Sequence, residues 1–276
     1  MSSPFANLDR PPLSAKTLRR TLITPGGFWR DIRVLSSTGS TNADAAAAAR
    51  EGAAEGLVVV ADEQTAGRGR LARTWVSPPR AGLAISVLLR PAGLPLSWFP
   101  LLTGVAVTRA ITQLTGVKAA LKWPNDVLIG SGSGQLRKAG GILAERVEPD
   151  AVVMGVGLNV TTTPEELPNA GATSLLLANA STNDRNVILR AILRALADDY
   201  TTWRAHGGDA ERSGLREAYR ELCATLGQVV RVELPASEPL IGQAADIDTN
   251  GHLLVATGSG VTTISAGDVV HVRPHN

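Results

Sequence analysis

The stretch at residues 64–75, QTAGRGRLARTW, together with its flanks, restricts this chain more than any other feature. It follows LVVVADEQ, an apolar run of the kind a buried strand needs, and it leads to Pro78-Pro79 and then to a second strand-like run, LAISVLLRP, ended by Pro91. Gly67, Gly69 and Ala72 loosely fit a dinucleotide-binding fingerprint, but that fold requires a helix directly after the loop and an acid about 20 residues on. The paired prolines block the helix, and no Asp or Glu occurs between Glu63 and Asp126. No Gly-Lys-Ser/Thr closes the stretch, so it is not a Walker loop either. What remains is a basic, glycine-hinged loop held between two strands.

The chemistry of such a loop is anion handling. Glycines let the backbone approach a ligand and supply amide donors, while Arg68, Arg70 and Arg73 offer planar forks for carboxylate or phosphate oxygens. The acid-free segment from 64 to 125 suits an anionic small molecule, because a nearby carboxylate would cancel the field. Taken alone, a Gly-Arg-Gly run equally describes a mobile surface turn. The net charge of +2 is too small for a protein that grips nucleic acid over many phosphates. One cysteine, Cys223, allows neither an internal disulfide nor a cysteine metal cluster. The first residues contain no signal-peptide h-region, and no run reaches about 18 uninterrupted apolar residues, so a soluble, cytoplasmic protein without a membrane partner is expected.

A chain of 276 residues with 44% hydrophobic composition can bury one full core and one small accessory module. Residues 1–30 read as a proline-rich extension with a short helix near 13–22, too short for a winged-helix DNA-binding module. From 31 to 226 the pattern is that of an α+β domain, a mixed β-sheet with helices on one face. An Ala-rich helix follows STN at 40–42; a helix is expected at 97–115, with Val107, Ile111 and Leu114 on one face, and a helical pair at 184–206 and 213–226. AALKWPNDVLI is strand, turn, strand; GSGSGQLR is a flexible connection; KAGGILAERV and AVVMGVGLNV are two further strands. From 227 to 276 short strands and an Asn250-Gly251 turn signal mark a small C-terminal β-barrel.

Further residues that could carry chemistry stand at the edges of these elements. Ser40, Thr41 and Asn42 fall at a strand-to-helix junction. Lys138 enters an apolar strand beside Gly140 and Gly141, whose missing side chains leave room for a ligand against the backbone. Pro-Asn-Asp at 124–126 is a good turn in its own right, so Asn125 and Asp126 serve either as turn residues or as ligand contacts. Asn159, closing GVGLN, is equally balanced. No Ser/His/Asp or Cys/His set is present, and all four His residues (206, 252, 271 and 275) lie in the C-terminal third.

Read together, STN, QTAGRGR with Arg73 and Trp75, KWPND, KAGGILAE, GVGLNV and ATSL at 172–175 resemble biotin protein ligases in order and approximate spacing, over roughly residues 35–275. The resemblance implies a class II synthetase/biotin-lipoate ligase-like catalytic domain with an SH3-like C-terminal module. It implies ATP and biotin as substrates with Mg²⁺, and an adenylate passed to a lysine of a biotin carboxyl carrier domain. Lys138 and Arg70 would be catalytic. Ser40, Thr41, Asn42, Gln64, Arg68, Gly69, Arg70 and Lys138 would bind biotin, and Arg73, Trp75, Asn125, Asp126 and Asn159 would bind ATP; ligands for the metal are not assigned. Ala72 departs from the pattern where glycine is expected. Without a DNA-binding module no repressor role is implied, and a homodimer stays open. A lipoate protein ligase and a non-catalytic biotin-binding protein are the alternatives.

Overall fold

The computed structural model describes residues 10–91, 93–130, 134–233, 238–265 and 267–271. The core of the Gly/Ser connection, the first nine residues, and the Val-Arg-Pro end of the last expected strand with His275 lie outside them. Seven strands build the main sheet: β1 (Asp31–Leu35), β2 (Leu57–Ala61), β3 (Gly82–Leu89), β4 (Ala119–Lys122), β5 (Asp126–Gly130), β6 (Leu136–Val147) and β7 (Ala151–Asn159). Their order is β1-β2-β3-β7-β6-β5-β4. Only β1 and β2 run parallel; the other neighbours are antiparallel, and β4 to β7 follow one another through short connections. The sheet is therefore mixed, as the sequence predicts.

Alternation along the strands divides the interior into two apolar layers. Val58 and Val60 turn toward α1 (Ala15–Leu22), α3 (Trp98–Thr115) and α4 (Arg185–Ala205), whose Leu18, Leu102 and Leu193 are fully buried. Leu57 and Val59 turn the other way, against α2 (Thr41–Arg50). Alanine is the strongest helix former and the smallest side chain that still buries apolar surface, so Ala45, Ala48 and Ala49 bring α2 close onto the sheet beside Leu88 and Val153. The long helices share one face, and α2 stands on the opposite one, over Val147, Ala151 and Val153.

Residues 10–30, read from the sequence as an extension, are part of this body. Ser14 caps α1, and Leu13, Leu18, Leu22 and Trp29 are buried in the core. α4 begins at Arg185 with Asp184 as its cap, and a short α5 (Leu215–Leu222) follows. The C-terminal strands β8 (Val229–Glu233), β9 (Leu240–Ile247), β10 (Leu253–Thr257), β11 (Gly260–Ile264) and β12 (Asp268–His271) form a five-stranded antiparallel sheet, ordered β11-β10-β9-β8-β12. Two tryptophans tie it to the first body: Trp98 donates to Thr249 O at 2.8 Å and Trp123 to Gly251 O at 3.1 Å. Trp123 is thus a buried structural anchor. Among the described residues no helix is long and apolar enough to cross a membrane.

Candidate functional site

Beyond the α2 alanines, the same face of β6 and β7 is floored by glycine. A Cβ at Gly157 would lie 2.5 Å from Cε2 of the Trp75 indole, and one at Gly155 would lie 2.3 Å from Asn42 Oδ1. Both separations are far inside van der Waals contact, so only glycine lets the indole and the carboxamide reach the backbone. Gly141 lies alongside on β6; the edge of the same indole and the Lys138 amine come within 3.7 and 3.8 Å of where its Cβ would be.

Lys138 reaches this face because of a bulge. β5 pairs Val127 with Gly140 but Leu128 with Lys138, leaving Ala139 as an extra residue. Strict alternation would put residues 138 and 141 on opposite faces; one inserted residue reverses the parity, so Lys138 joins Gly141 on the cleft side while Ala139 enters the core. Asp126 pairs across from Gly141 and faces the same way, and its carboxylate meets Lys138 Nζ at 2.5 Å.

Opposite this floor the N-terminus of α2 supplies neutral polar groups. Gln64 Oε1 accepts from Thr41 N at 2.9 Å and Thr41 Oγ1 at 3.0 Å, which fixes the loop start to the helix start. Asn42 Nδ2 donates to Glu145 at 2.6 Å, and Ser86 Oγ stands 2.6 Å from Asn42 Oδ1. Ser40 makes no side-chain cap bond and also lines the cleft.

Residues 64–75 fold back as a narrow flap. Trp75 N donates to Gly67 O at 2.9 Å and Gly69 N to Arg73 O at 2.7 Å, and the tip is a single 3₁₀ turn, Arg70–Ala72. Leu71 and Ala72 at the tip hold left-handed backbone, φ 54° and 57°. At Ala72, where the family pattern has glycine, this backbone costs about 1–2 kcal/mol, and Leu71 carries a similar cost. From the flap, Arg70 donates to Asn125 Oδ1 and to Gly267 O, both at 3.3 Å, Arg68 pairs with Glu145 at 3.1 Å, and Arg73 pairs with Asp268. Burial lowers the Arg70 pKa, against the pull of Asp268 and Asp126, whereas the hydrogen bond from Arg73 to Asp268 raises that of Arg73.

Flap, floor and helix start together bound a cleft that is open to solvent at its mouth. It is lined by Ser40, Thr41, Asn42, Gln64, Arg68, Gly69, Arg70, Arg73, Trp75, Asn125, Asp126 and Lys138. Asn159 does not join them: it is buried at the end of β7 with its amide donating to Thr173 O at 3.1 Å. The local sequence is acid-free, but the site is not. Glu145, Asp126 and Asp268 arrive from β6, β5 and β12 to pair with Arg68, Lys138 and Arg73. The exposed Arg68 and Arg73 pairs are worth about 0–1 kcal/mol each, so an incoming anion can exchange with them at little cost, while Asp126 beside Lys138 is more enclosed. Sequence reasoning missed Glu145, Ser86 and Asp268. A lone serine inside the apolar LAISVLLRP run is a legible sign for Ser86; nothing local marks Asp268.

A glycine-floored cleft under an arginine flap, with a lysine on its wall, is a site built to gather anionic groups, and comparison with known proteins gives its class, the ligases. Residues 34–159 match the model of the biotin/lipoate A/B protein ligase family, and residues 225–272 match the biotin protein ligase C-terminal domain. The chain is 44% identical over 271 residues to the biotin–acetyl-CoA-carboxylase ligase of Mycobacterium tuberculosis strain H37Rv, covering 96% of this chain and 97% of that one. It is 35% identical over 246 residues to the bifunctional ligase/repressor BirA of Bacillus subtilis, covering 86% and 71%. Its fold is similar to that of the Aquifex aeolicus biotin protein ligase in complex with biotin and ATP, with a TM-score of 0.73, 26% identity, and coverage of 89% and 100%. The chain belongs to the biotin/lipoate A/B protein ligase family.

Proposed function

We infer that this chain is a biotin protein ligase: it joins biotin to AMP at the expense of ATP and passes the biotinoyl group to a lysine of a carrier domain. The observation that carries the reading is the bulge-directed Lys138 amine on a glycine floor, facing a flap with three arginines. In the first step a carboxylate oxygen of biotin attacks the α-phosphorus of ATP, the bond to the bridging oxygen breaks, and pyrophosphate leaves. Two anions must meet, so catalysis rests on positioning and charge neutralisation, with no covalent enzyme nucleophile. Lys138 exchanges Asp126 for the biotin carboxylate and then for the phosphate, Arg70 and Arg68 close over the acyl phosphate, and Arg73 exchanges Asp268 for the departing pyrophosphate. In the second step the acceptor amine attacks the acyl carbon and AMP leaves with the bonding pair.

The neutral corner of Ser40, Thr41, Asn42 and Gln64 suits the ureido ring, whose paired donors and acceptors require polar partners once buried. Trp75 covers the nucleotide side. Asn159 serves this reading through Thr173 and the strand end, not through ligand contact. Among the described residues no group of three His, Cys, Asp or Glu can hold a metal. Mg²⁺ commonly uses one or two carboxylates plus substrate phosphates, so Asp126 is a fitting single protein contact for an ion that arrives with ATP and neutralises phosphate charge. A biotin carboxyl carrier domain is the acceptor this chemistry calls for. The test is incubation with ATP, labelled biotin and such a carrier domain: label on the carrier supports the reading, and pyrophosphate exchange driven by lipoate but not biotin would overturn it.

A further inference from the structure

Both feet of the flap rest on one buried carboxylate. Asp62 directly follows β2, two residues before Gln64, and its side chain is 7% exposed. On the return side, Arg80 N donates to Asp62 O at 2.7 Å, and the Arg80 guanidinium stands 3.8 Å from the Asp62 carboxylate. Arg80 holds left-handed backbone, φ 62°, a conformation a non-glycine residue keeps only when its surroundings fix it. The carboxylate is itself gripped from two further directions. Arg185, at the first turn of α4 and 4% exposed, donates to it at 2.8 Å and to Gly82 O at 3.2 Å, so β3 is anchored by the same guanidinium. Leu13 N donates to Asp62 Oδ1 at 3.2 Å, and Pro11 O accepts from Arg185 at 2.7 Å.

The N-terminal strap is fastened beyond this point as well. Arg10 makes two bonds to Glu166, at 3.0 and 2.7 Å, and a third to Thr161 O at 2.9 Å. None of these groups lines the ligand cleft, yet every segment that enters or leaves the flap converges on Asp62. Fixing two loop ends removes conformational freedom from the open flap, so less ordering remains to be done when ligand binds.

We propose that Asp62 is a positioning residue, a clasp that holds the two feet of the flap together, and that residues 10–14 form the outer half of this clasp. This rests on the biotin ligase reading above. The strap that reads in the sequence as part of a proline-rich extension is then a determinant of how tightly the flap retains biotin and biotinoyl-AMP.

The test compares the unaltered chain with Asp62→Asn and Arg10→Ala. Asp62→Asn keeps an acceptor oxygen but removes the charge that pairs with Arg185; Arg10→Ala loosens the strap at a partly exposed ion pair without touching the flap. The expected result for Asp62→Asn is a biotin KM and a biotinoyl-AMP release rate each raised about 10-fold. Pyrophosphate exchange at saturating biotin should stay within about 2-fold, because the groups that stabilise the transition state are untouched. Arg10→Ala should move both quantities in the same direction by a smaller factor. A role in folding alone would lower the melting temperature and the fraction of active enzyme while leaving KM and release unchanged, and that outcome overturns the clasp. If Asp62→Asn does not fold, Arg10→Ala decides on the same two readouts. Absence of biotinoyl-AMP with the unaltered chain would overturn the functional reading itself, whereas normal adenylate formation with unchanged KM and release in both variants overturns the clasp alone.

Discussion

In the proposed mechanism Lys138 and the glycines around it concentrate the chemistry of the site. An amine 2.5 Å from Asp126 already has a partner, so ligand binding would exchange one anion for another rather than fill an unpaired field. The glycines set how close the exchange occurs. Gly157→Ala should push the Trp75 indole off the floor, raising KM for ATP and biotin by about 10-fold or more, as expected when a close contact is lost at a preorganised site. Steady-state kinetics with a thermal melt as control checks this; unchanged KM with a well-folded variant would show that the indole is not seated by Gly157. Here the sequence was partly legible. In GVGLN the sequence offers Asn159 as either a turn residue or a ligand contact, whereas the close approaches are at Gly155 and Gly157, whose partners Asn42 and Trp75 are distant along the chain. Asp268 could not be found from local sequence, since its partner Arg73 is far away along the chain and meets it only through the docking of β12.

At the level of single elements, the flap and the bulge decide the site. The flap tip bonds Asn125 and Gly267 through Arg70, so Arg70→Gly should release biotinoyl-AMP faster than the unaltered chain in a rapid-filtration assay. Ala72→Gly should act in the opposite sense. Glycine relieves left-handed strain of about 1–2 kcal/mol, offset by about 0.4–1 kcal/mol of added freedom in the open flap. Slower release is therefore expected, and faster release from Ala72→Gly would mean that the left-handed turn is not a property of the closed flap. The strands and main helices were legible because periodicity reports them: α3 and α4 follow the expected ranges closely. The bulge at Ala139 was not, since an extra residue in one strand changes which face a side chain takes without changing composition or spacing. Lys138 was picked out by its motif, but the reason it faces the cleft is a matter of register.

Across the whole molecule, the C-terminal sheet is not a separate appendage. It supplies Asp268 and Gly267 to the flap and receives the side chains of Trp98 and Trp123. Its last described strand is fastened by His271, whose Nε2 lies 3.1 Å from Thr225 Oγ1, while that oxygen accepts from Trp123 N at 3.0 Å. Burial, aided by the nearby Lys122 charge, holds the His271 pKa below its ordinary value. The unfolded chain protonates this ring first, so the stabilisation is complete above about pH 6.5 and is lost as pH falls through that value toward the folded one. His271→Gln should show a smaller drop in melting temperature between pH 7 and pH 5 than the unaltered chain; equal drops would remove His271 from the acid response. What composition and motif order made legible was the division into a mixed sheet and a short-strand module. Residues 10–30 were read as peripheral because proline-rich segments look irregular, yet Trp29 and Leu18 show that they close the core. The central claim is that Lys138, delivered by the bulge to a glycine floor under an arginine flap, gathers two anions for adenylate formation. Biotin-dependent ATP–pyrophosphate exchange by the unaltered chain and by Lys138→Ala tests it most directly. Robust exchange is expected in the former and a loss of about 100-fold or more in the latter; equal rates would contradict a role for Lys138 in adenylate formation.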